Sequence, residues 1–127
     1  MASTKGAHRV LVVDDEPQIC ALLREVLSLD GHMVFTARHG GEALKALGNG
    51  KYSFLIMDLT MPVKGGLETL RDLRDRGHAM PVLLMSSHFP DDVRRACTGQ
   101  KGLMLLEKPF SLTELRKIVA RHTPARA

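Results

Sequence analysis

The chain has 127 residues, a length typical of one domain, and its apolar (44%) and charged (25%) fractions are ordinary for a globular protein. Its apolar runs are far shorter than the ~20 residues that span a bilayer, and its polar N-terminus lacks a signal-peptide pattern, so we expect a cytoplasmic protein. Eighteen Lys and Arg against fourteen Asp and Glu give a formal charge of +4, which suggests an anionic partner. Aromatic residues make up only 4% of the chain, which argues against a surface that stacks on single-stranded nucleic acid.

The cysteines and histidines give no sign of a redox or soft-metal site. Cys20 and Cys97 are the two cysteines of the chain, and neither has a second cysteine at CxxC spacing. The six histidines show neither HxxxH nor HExxH spacing. We therefore exclude a cysteine-rich zinc site and expect both cysteines to be small packing residues.

Strand-like apolar segments alternate with amphipathic helical patterns along the whole chain. The first segment, 9–14 (RVLVVD), is β-branched and almost continuously apolar, as in a strand buried on both faces of a parallel sheet. Apolar residues at helical spacing follow, between Pro17 and Gly31. The remaining predicted elements are strand 33–37, a helix around 42–47, strand 52–58, a helix around 67–74, strand 81–85, helix 91–98, strand 103–107 and helix 111–122. Five such units predict an open, doubly wound α/β domain over residues 9–122, with short tails at 1–8 and 123–127.

Chemically active side chains stand where four of the five predicted strands end. Asp14 and Asp15 end the first strand, Asp58 ends the third, Ser86 ends the fourth and Lys108 follows the fifth. In a doubly wound sheet, the carboxyl ends of the strands form the usual binding edge. The sequence therefore predicts that three carboxylates, a hydroxyl and an ammonium group meet at one rim.

Taken singly, each of these residues has an ordinary explanation, such as a helix cap, a turn residue or a solvated lysine, but together they indicate a site. Two carboxylates about 5 Å apart repel by roughly 3 kcal/mol at an effective dielectric constant of about 20, so three of them should bind a cation or take up a proton. Oxygen ligands without His or Cys favour Mg²⁺. A carboxylate beside Mg²⁺ and a lysine can hold a phosphoryl group, or accept one as a nucleophile.

Four segments of the chain together resemble the CheY-like receiver domains of two-component response regulators. The resemblance runs from about Arg9 to His122 and is carried by VLVVDDEP (10–17), IMDLTMPVKGG (56–66), PVLLMSS (81–87) and EKPF (107–110). It implies a flavodoxin-like fold, with a five-stranded parallel sheet of order 2-1-3-4-5 and five helices on its two faces. The first and fourth helices then cover opposite faces, which excludes a disulfide between the two cysteines.

The resemblance also implies a role for each residue at the strand ends. Asp58 is expected to accept a phosphoryl group from a sensor histidine kinase or a phosphotransfer protein, rather than to act as an enzyme on a separate substrate. Lys108, followed by a cis peptide bond, is expected to pair with a phosphoryl oxygen, and Ser86 to bind another. The expected Mg²⁺ ligands are Asp15, Asp58 and the backbone carbonyl of Thr60, with Asp14 acting mainly through water.

The sequence departs from the family pattern at two positions that concern the switch. Ser86 replaces the commoner threonine, which is conservative because only the hydroxyl oxygen is needed. Leu105 stands three residues before the lysine, where a tyrosine or phenylalanine usually rotates on activation. We therefore expect a packing shift around the fifth strand and fourth helix in place of an aromatic flip.

Other functions are less well supported by the residues. A phosphate-independent interaction module would be favoured if the acidic residues or the lysine were missing, and all are present. An aspartyl-phosphate hydrolase usually has a second aspartate two residues after its nucleophile, where this chain has Thr60. A nucleic-acid binder would need a basic helix face interleaved with base-reading residues, and no predicted helix has one.

The positive charge is concentrated near the C-terminus. Residues 1–93 hold ten Lys and Arg against twelve Asp and Glu, a net of −2, whereas 94–127 hold eight against two, a net of +6. In receivers, the face formed by the fourth helix, fifth strand and fifth helix commonly binds partners. We therefore predict docking of an unidentified protein with an acidic surface, with no direct binding to nucleic acid or membrane; a merely solvated basic face remains the alternative. The basic residues concerned are Arg94, Arg95, Lys101, Arg116, Lys117 and Arg121.

Overall fold

Strands and helices alternate strictly along the chain in the computed structural model, which describes residues 8–124. The strands are β1 (Arg9–Val13), β2 (Met33–Ala37), β3 (Phe54–Asp58), β4 (Val82–Ser86) and β5 (Leu103–Glu107). The helices are α1 (Pro17–Leu29), α2 (Gly40–Gly48), α3 (Gly66–Asp75), α4 (Asp91–Cys97) and α5 (Leu112–His122). No helix among these residues is long and apolar enough to cross a membrane. The predicted tails at 1–8 and 123–127 lie outside the described residues, apart from 8, 123 and 124.

The five strands form one parallel sheet of order β2-β1-β3-β4-β5, as the resemblance implied. The three central strands are the most deeply buried, since every residue of β3 and β4 is buried and only Arg9 of β1 is partly exposed. Continuous apolar runs are what such strands require, because helices cover the sheet on both faces. The polar residues of these three strands, Arg9, Asp58 and Ser86, are therefore found at the strand ends.

Two hydrophobic cores lie on opposite faces of the sheet. One packs α2, α3 and α4 against side chains such as Leu55 and Leu84, and the other packs α1 and α5 against Ile56 and Leu83. The alternation of neighbouring residues between the two cores follows from the two-residue period of a strand. Cys97 belongs to the first core and Cys20 to the second, so the prediction of two free, buried cysteines is confirmed.

Several element boundaries differ by one or two residues from the predicted ones. The third strand begins at Phe54 rather than at position 52, because Tyr52 packs edge-on against the ring of Phe35 instead of pairing in the sheet. The second helix begins earlier than expected, at Gly40. There the ring Nδ1 of His39 accepts hydrogen bonds from the backbone amides of Gly41 and Glu42, and histidine is not among the usual capping residues.

The last helix, predicted over 111–122, begins at Leu112 and ends at His122. Ser111 is its N-cap, and its hydroxyl oxygen accepts a hydrogen bond of 3.2 Å from the amide of Glu114. A bidentate ion pair joins this helix to the end of α1, since Arg116 Nε lies 3.0 Å from Asp30 Oδ2 and its second nitrogen 2.6 Å from Oδ1. These contacts hold α1 and α5 together beneath one face of the sheet.

Candidate functional site

The side chains singled out in the sequence lie at the carboxyl edge of the sheet. Asp14 directly follows β1, Asp58 and Ser86 are the last residues of β3 and β4, and Lys108 directly follows β5. Parallel strands bring these positions to one edge although they are up to 94 residues apart in the chain. This edge is where an open α/β sheet forms its site.

The ammonium group of Lys108 lies among three carboxylates. Its Nζ is 3.1 Å from Asp14 Oδ2, 3.2 Å from Asp58 Oδ2 and 3.3 Å from Glu16 Oε1. The side chains of Asp14 and Asp58 are 0% and 9% exposed, whereas that of Glu16 is 57% exposed. The lysine is therefore held between two buried carboxylates and one at the solvent side.

Oxygens of Asp14, Glu16 and Asp58 lie within 4.8 Å of one another, close enough to hold one metal ion. Sequence reasoning missed Glu16, whose carboxylate belongs to this group. Asp15 is exposed and is not part of the group. The sequence signal for Glu16 is its position before a proline, because proline keeps the preceding residue extended and out of the helix.

Burial and neighbouring charges shift the pKa values of Asp14 and Lys108. Burial raises the pKa of Asp14 above its ordinary value, and the backbone amide of Glu16 and the Lys108 side chain only partly oppose this. Burial alone would lower the pKa of Lys108, but hydrogen bonds and charges from Asp14 and Asp58 outweigh it, so that this pKa is raised. The ammonium therefore stays charged at neutral pH.

The loop after β3 is fitted closely around Asp58. The backbone amide of Thr60 donates a hydrogen bond of 3.1 Å to Asp58 Oδ1, so that both carboxylate oxygens of Asp58 have a donor. A Cβ at Gly66 would lie 2.6 Å from the Asp58 carbonyl oxygen, closer than real contacts allow. Val63, in the same loop, has a positive φ of 68° and is 89% exposed, a strained conformation for a β-branched residue.

Ser86 is close to the site but its hydroxyl is bonded elsewhere. Its Oγ donates a hydrogen bond of 2.7 Å to the carbonyl of His88 and accepts one of 3.2 Å from the amide of the same residue. Both bonds fix the loop between β4 and α4. In this arrangement the hydroxyl holds that loop and does not contact Asp58.

The region of the expected switch has its own set of contacts. Leu105, in place of an aromatic residue, is partly buried against the core that contains α4. Phe89 is 1% exposed, and the guanidinium of Arg94 lies 5.6 Å from its ring centre while pairing with Glu107. The expected cis peptide between Lys108 and Pro109 is present.

The donor set of the site suits a hard divalent cation. All three acidic groups offer oxygen, and three carboxylates against one ammonium leave an excess of two negative charges. Carboxylate oxygens are the ligands that Mg²⁺ prefers. The edge of the sheet therefore combines a buried, doubly hydrogen-bonded carboxylate with a place for Mg²⁺ and a fixed ammonium group.

Comparison with known proteins agrees with this description. Residues 10–120 match the family described as the response regulator receiver domain. The chain is 35% identical over 120 residues to the response regulator MprA of Mycobacterium sp. (strain KMS), covering 91% of this chain and 52% of the relative. It is 36% identical over 107 residues to MprA of Mycobacterium ulcerans (strain Agy99), covering 84% and 46%. The chain thus spans about half the length of these curated relatives.

Solved structures with the same fold include a chemotaxis protein and a response regulator protein of two bacteria. The chemotaxis protein CheY4 of Vibrio cholerae superposes with a TM-score of 0.83 at 27% identity, covering 91% of this chain and 98% of that one. The response regulator TrrA of Thermotoga maritima, solved in complex with Mg²⁺-BeF, gives a TM-score of 0.77 at 33% identity, with coverage of 91% and 98%. Both comparisons extend over nearly the whole of the described domain.

Proposed function

Because the chain belongs to the response regulator receiver domain family, we propose that it accepts a phosphoryl group on Asp58 in a Mg²⁺-dependent reaction. The donor is a phosphohistidine of a sensor histidine kinase or of a phosphotransfer protein. The observation that carries the proposal is the setting of the Asp58 carboxylate, which is 9% exposed and receives one hydrogen bond on each oxygen, from Lys108 and from Thr60. A buried carboxylate held in this way is oriented for attack on a donor that reaches it from the rim.

The transfer exchanges one bond to phosphorus for another. An oxygen of Asp58 attacks the phosphorus in line, the new oxygen–phosphorus bond forms, and the bond from phosphorus to the histidine nitrogen of the donor breaks, leaving its electron pair on that nitrogen. Lys108 stays protonated throughout and neutralises charge on the phosphoryl oxygens. The domain thereby contributes positioning and charge compensation, which is most of what such a transfer needs.

The metal ligands in this proposal are Asp14, Asp15, Asp58 and the backbone carbonyl of Thr60. When bound, Mg²⁺ supplies positive charge for the phosphoryl oxygens at the moment of transfer. Carboxylate oxygens of Asp14 and Glu16 lie within 4.8 Å of one of Asp58, and Asp15 stands between Asp14 and Glu16 in the sequence. The excess negative charge of the site supports this assignment.

The response to phosphorylation begins at Ser86. Its hydroxyl leaves the backbone of His88 and binds a phosphoryl oxygen, and this releases the loop that leads to α4. The loop carries the buried ring of Phe89, which contacts Arg94, and Arg94 in turn pairs with Glu107 at the end of β5. With Leu105 in place of an aromatic residue, we propose that this packing shifts as a unit.

A partner then binds the face formed by α4, β5 and α5. The six basic residues predicted for this face are all exposed. Within 8–124, ion pairs are found for two of them, Arg94 with Glu107 and Arg116 with Asp30, which leaves Arg95, Lys101, Lys117 and Arg121 to meet an acidic surface. Binding of this kind weakens as ionic strength rises, and salt-independent binding would contradict this part of the proposal.

The proposed setting of the domain is the cytoplasm, where it catalyses only its own phosphorylation and dephosphorylation. We retain 9–122 as the limits of the receiver domain. His8 is buried, and its ring Nε2 lies 2.7 Å from the backbone carbonyl oxygen of Pro124. The residues just outside these limits, 8 and 124, therefore contact each other.

The proposed function is tested by incubation with Mg²⁺ and acetyl phosphate, followed by intact-mass measurement. We expect one added phosphoryl group, its absence in Asp58→Asn, and its absence when the metal is chelated. Asp75→Asn is a suitable control because Asp75 is exposed at the end of α3. An unchanged mass of the folded wild-type protein would contradict the proposal, and partner binding unaffected by Asp58→Asn would instead favour a phosphate-independent module.

A further inference from the structure

We propose that Glu16 is a positioning residue of the phosphorylation site, which strengthens Mg²⁺ binding while competing with the incoming phosphoryl group for Lys108. This inference rests on the proposed function. It concerns a residue that is not among the predicted metal ligands. Its basis is the contact of 3.3 Å between Glu16 Oε1 and Lys108 Nζ. In addition, carboxylate oxygens of Glu16, Asp14 and Asp58 lie within 4.8 Å of one another.

The backbone of Glu16 is fixed by contacts on both sides. Its amide donates a hydrogen bond of 2.9 Å to Asp14 Oδ1, and its carbonyl accepts hydrogen bonds from the amides of Ile19 and Cys20 in the first turn of α1. The following Pro17 restricts Glu16 to an extended conformation, and its φ and ψ are −91° and 110°. The side chain thus leaves a defined backbone position.

The side chain of Glu16 is not used to cap the helix. Glu16 is the N-cap residue of α1, yet it forms no side-chain hydrogen bond with the first-turn amides. An aspartate, serine or threonine at this position would normally form that bond. The carboxylate reaches Lys108 instead, 92 residues away, so its contact belongs to the site rather than to the helix.

Exposure distinguishes Glu16 from the other two carboxylates around Lys108. Its side chain is 57% exposed, against 0% for Asp14 and 9% for Asp58. A phosphodonor that approaches from solvent therefore meets the negative charge of Glu16 before it meets Asp58. It also competes with Glu16 for the ammonium group that must neutralise the phosphoryl oxygens.

The negative charge of Glu16 should have the opposite effect on Mg²⁺ binding, which it should strengthen. A carboxylate close to the ligand oxygens of Asp14 and Asp58 increases the attraction for a divalent cation, whether or not it ligates the ion directly. Removing this charge should weaken Mg²⁺ binding but should also remove a repulsion from dianionic donors. A residue with a purely structural role would not produce these opposite effects.

The test compares Glu16→Gln with Glu25→Gln, which removes the same charge from an exposed position of the same helix. Mg²⁺ affinity is measured by calorimetric titration without any phosphodonor, and phosphoryl uptake is measured with acetyl phosphate at saturating Mg²⁺. For Glu16→Gln we expect about threefold weaker Mg²⁺ binding and about fivefold faster phosphoryl uptake. These are the modest effects expected when one charge, a few ångströms from the site, is partly screened by solvent and salt. For Glu25→Gln we expect wild-type values.

Unchanged Mg²⁺ affinity in Glu16→Gln, or an uptake rate equal to or below that of wild type, would overturn the inference. Equal effects in Glu25→Gln would also overturn it, because the cause would then be the overall charge of the domain. Failure of the proposed function has a different outcome. In that case the wild-type protein itself takes up no phosphoryl group, whatever the calorimetric titrations show.

Discussion

The ammonium nitrogen of Lys108 lies 3.2 Å from Asp58 Oδ2, although the two residues are 50 positions apart in the chain. They follow β5 and end β3, two strands that are separated by β4 in the sheet. The contact therefore exists only when the whole carboxyl edge is formed. It places a permanent positive charge beside the oxygen that is proposed to attack phosphorus.

Replacing Lys108 by methionine should slow phosphoryl uptake strongly. The substitution removes the charge that compensates the phosphoryl oxygens, and loss of one such group costs about a hundredfold in rate in comparable sites. The rate with acetyl phosphate at saturating Mg²⁺ is the measurement, with folding verified by circular dichroism. Lys101→Met, at an exposed position before β5, is the control. Equal rates for Lys108→Met and wild type would contradict the role of the ammonium group.

Asp14→Asn should stabilise the metal-free protein at neutral pH and abolish most of its stabilisation by Mg²⁺. Burial raises the pKa of Asp14 above 3.8, so the folded state binds this proton more tightly than the unfolded state does. The ionised group then destabilises the fold above pH 3.8, and the penalty disappears as pH falls below that value. We expect a gain in the free energy of unfolding at pH 7, measured by denaturant unfolding without metal.

The pH dependence provides the internal check on this prediction. The stability difference between Asp14→Asn and wild type should shrink as the pH is lowered towards 4. A variant that is less stable than wild type at pH 7 would mean that the hydrogen bond to Lys108 outweighs the cost of burying the charge.

Ser86→Ala should retain phosphoryl uptake but lose the response in the loop before α4. The hydroxyl now holds His88 through two hydrogen bonds, and their loss should cost about 1 kcal/mol of stability. Amide chemical shifts of residues 87–89, recorded with and without Mg²⁺ and beryllofluoride, report the response. Ser87→Ala is the matched control because Ser87 is exposed. A full shift in Ser86→Ala would show that the loop is moved by another contact.

Two glycine substitutions should have opposite effects. A Cβ at Gly66 would lie 2.6 Å from the Asp58 carbonyl and 2.8 Å from Leu59 Cα, so Gly66→Ala must displace the loop that carries Asp58. At Gly48, at the end of α2, nothing lies within 4 Å. We expect Gly48→Ala to stabilise the domain by about 0.5–1 kcal/mol. Gly66→Ala should destabilise it and slow phosphoryl uptake, and a stabilised, fully active Gly66→Ala would contradict the close fit of this loop.

The order of the elements, the parallel sheet and the gathering of polar residues at its edge were predictable from the sequence. They depend on local patterns: apolar runs for buried strands, helical spacing for the helices, and strand ends for the site. The two hydrophobic cores and the free cysteines follow from the same alternation. The strand order itself came from the resemblance to receivers and is confirmed.

The contributions of Glu16 and His39 were not predictable in the same way. Glu16 joins the site through a contact with Lys108, 92 positions away, and its place before Pro17 indicates an extended backbone but not this contact. His39 caps α2 with a ring nitrogen, a role for which histidine carries no strong propensity. The direction of the Ser86 hydroxyl likewise depends on the backbone of the following loop, which takes its shape from the packing of Phe89.

The most direct test of the central claim is to locate the phosphoryl group on the chain. Protein treated with Mg²⁺ and acetyl phosphate is reduced with borohydride, which converts a phosphorylated aspartate to homoserine, and its peptides are sequenced by mass spectrometry. The account predicts homoserine at position 58, with none at this position in protein incubated without Mg²⁺. Reduction at Asp14, Asp15 or Glu16 in place of Asp58 would contradict it.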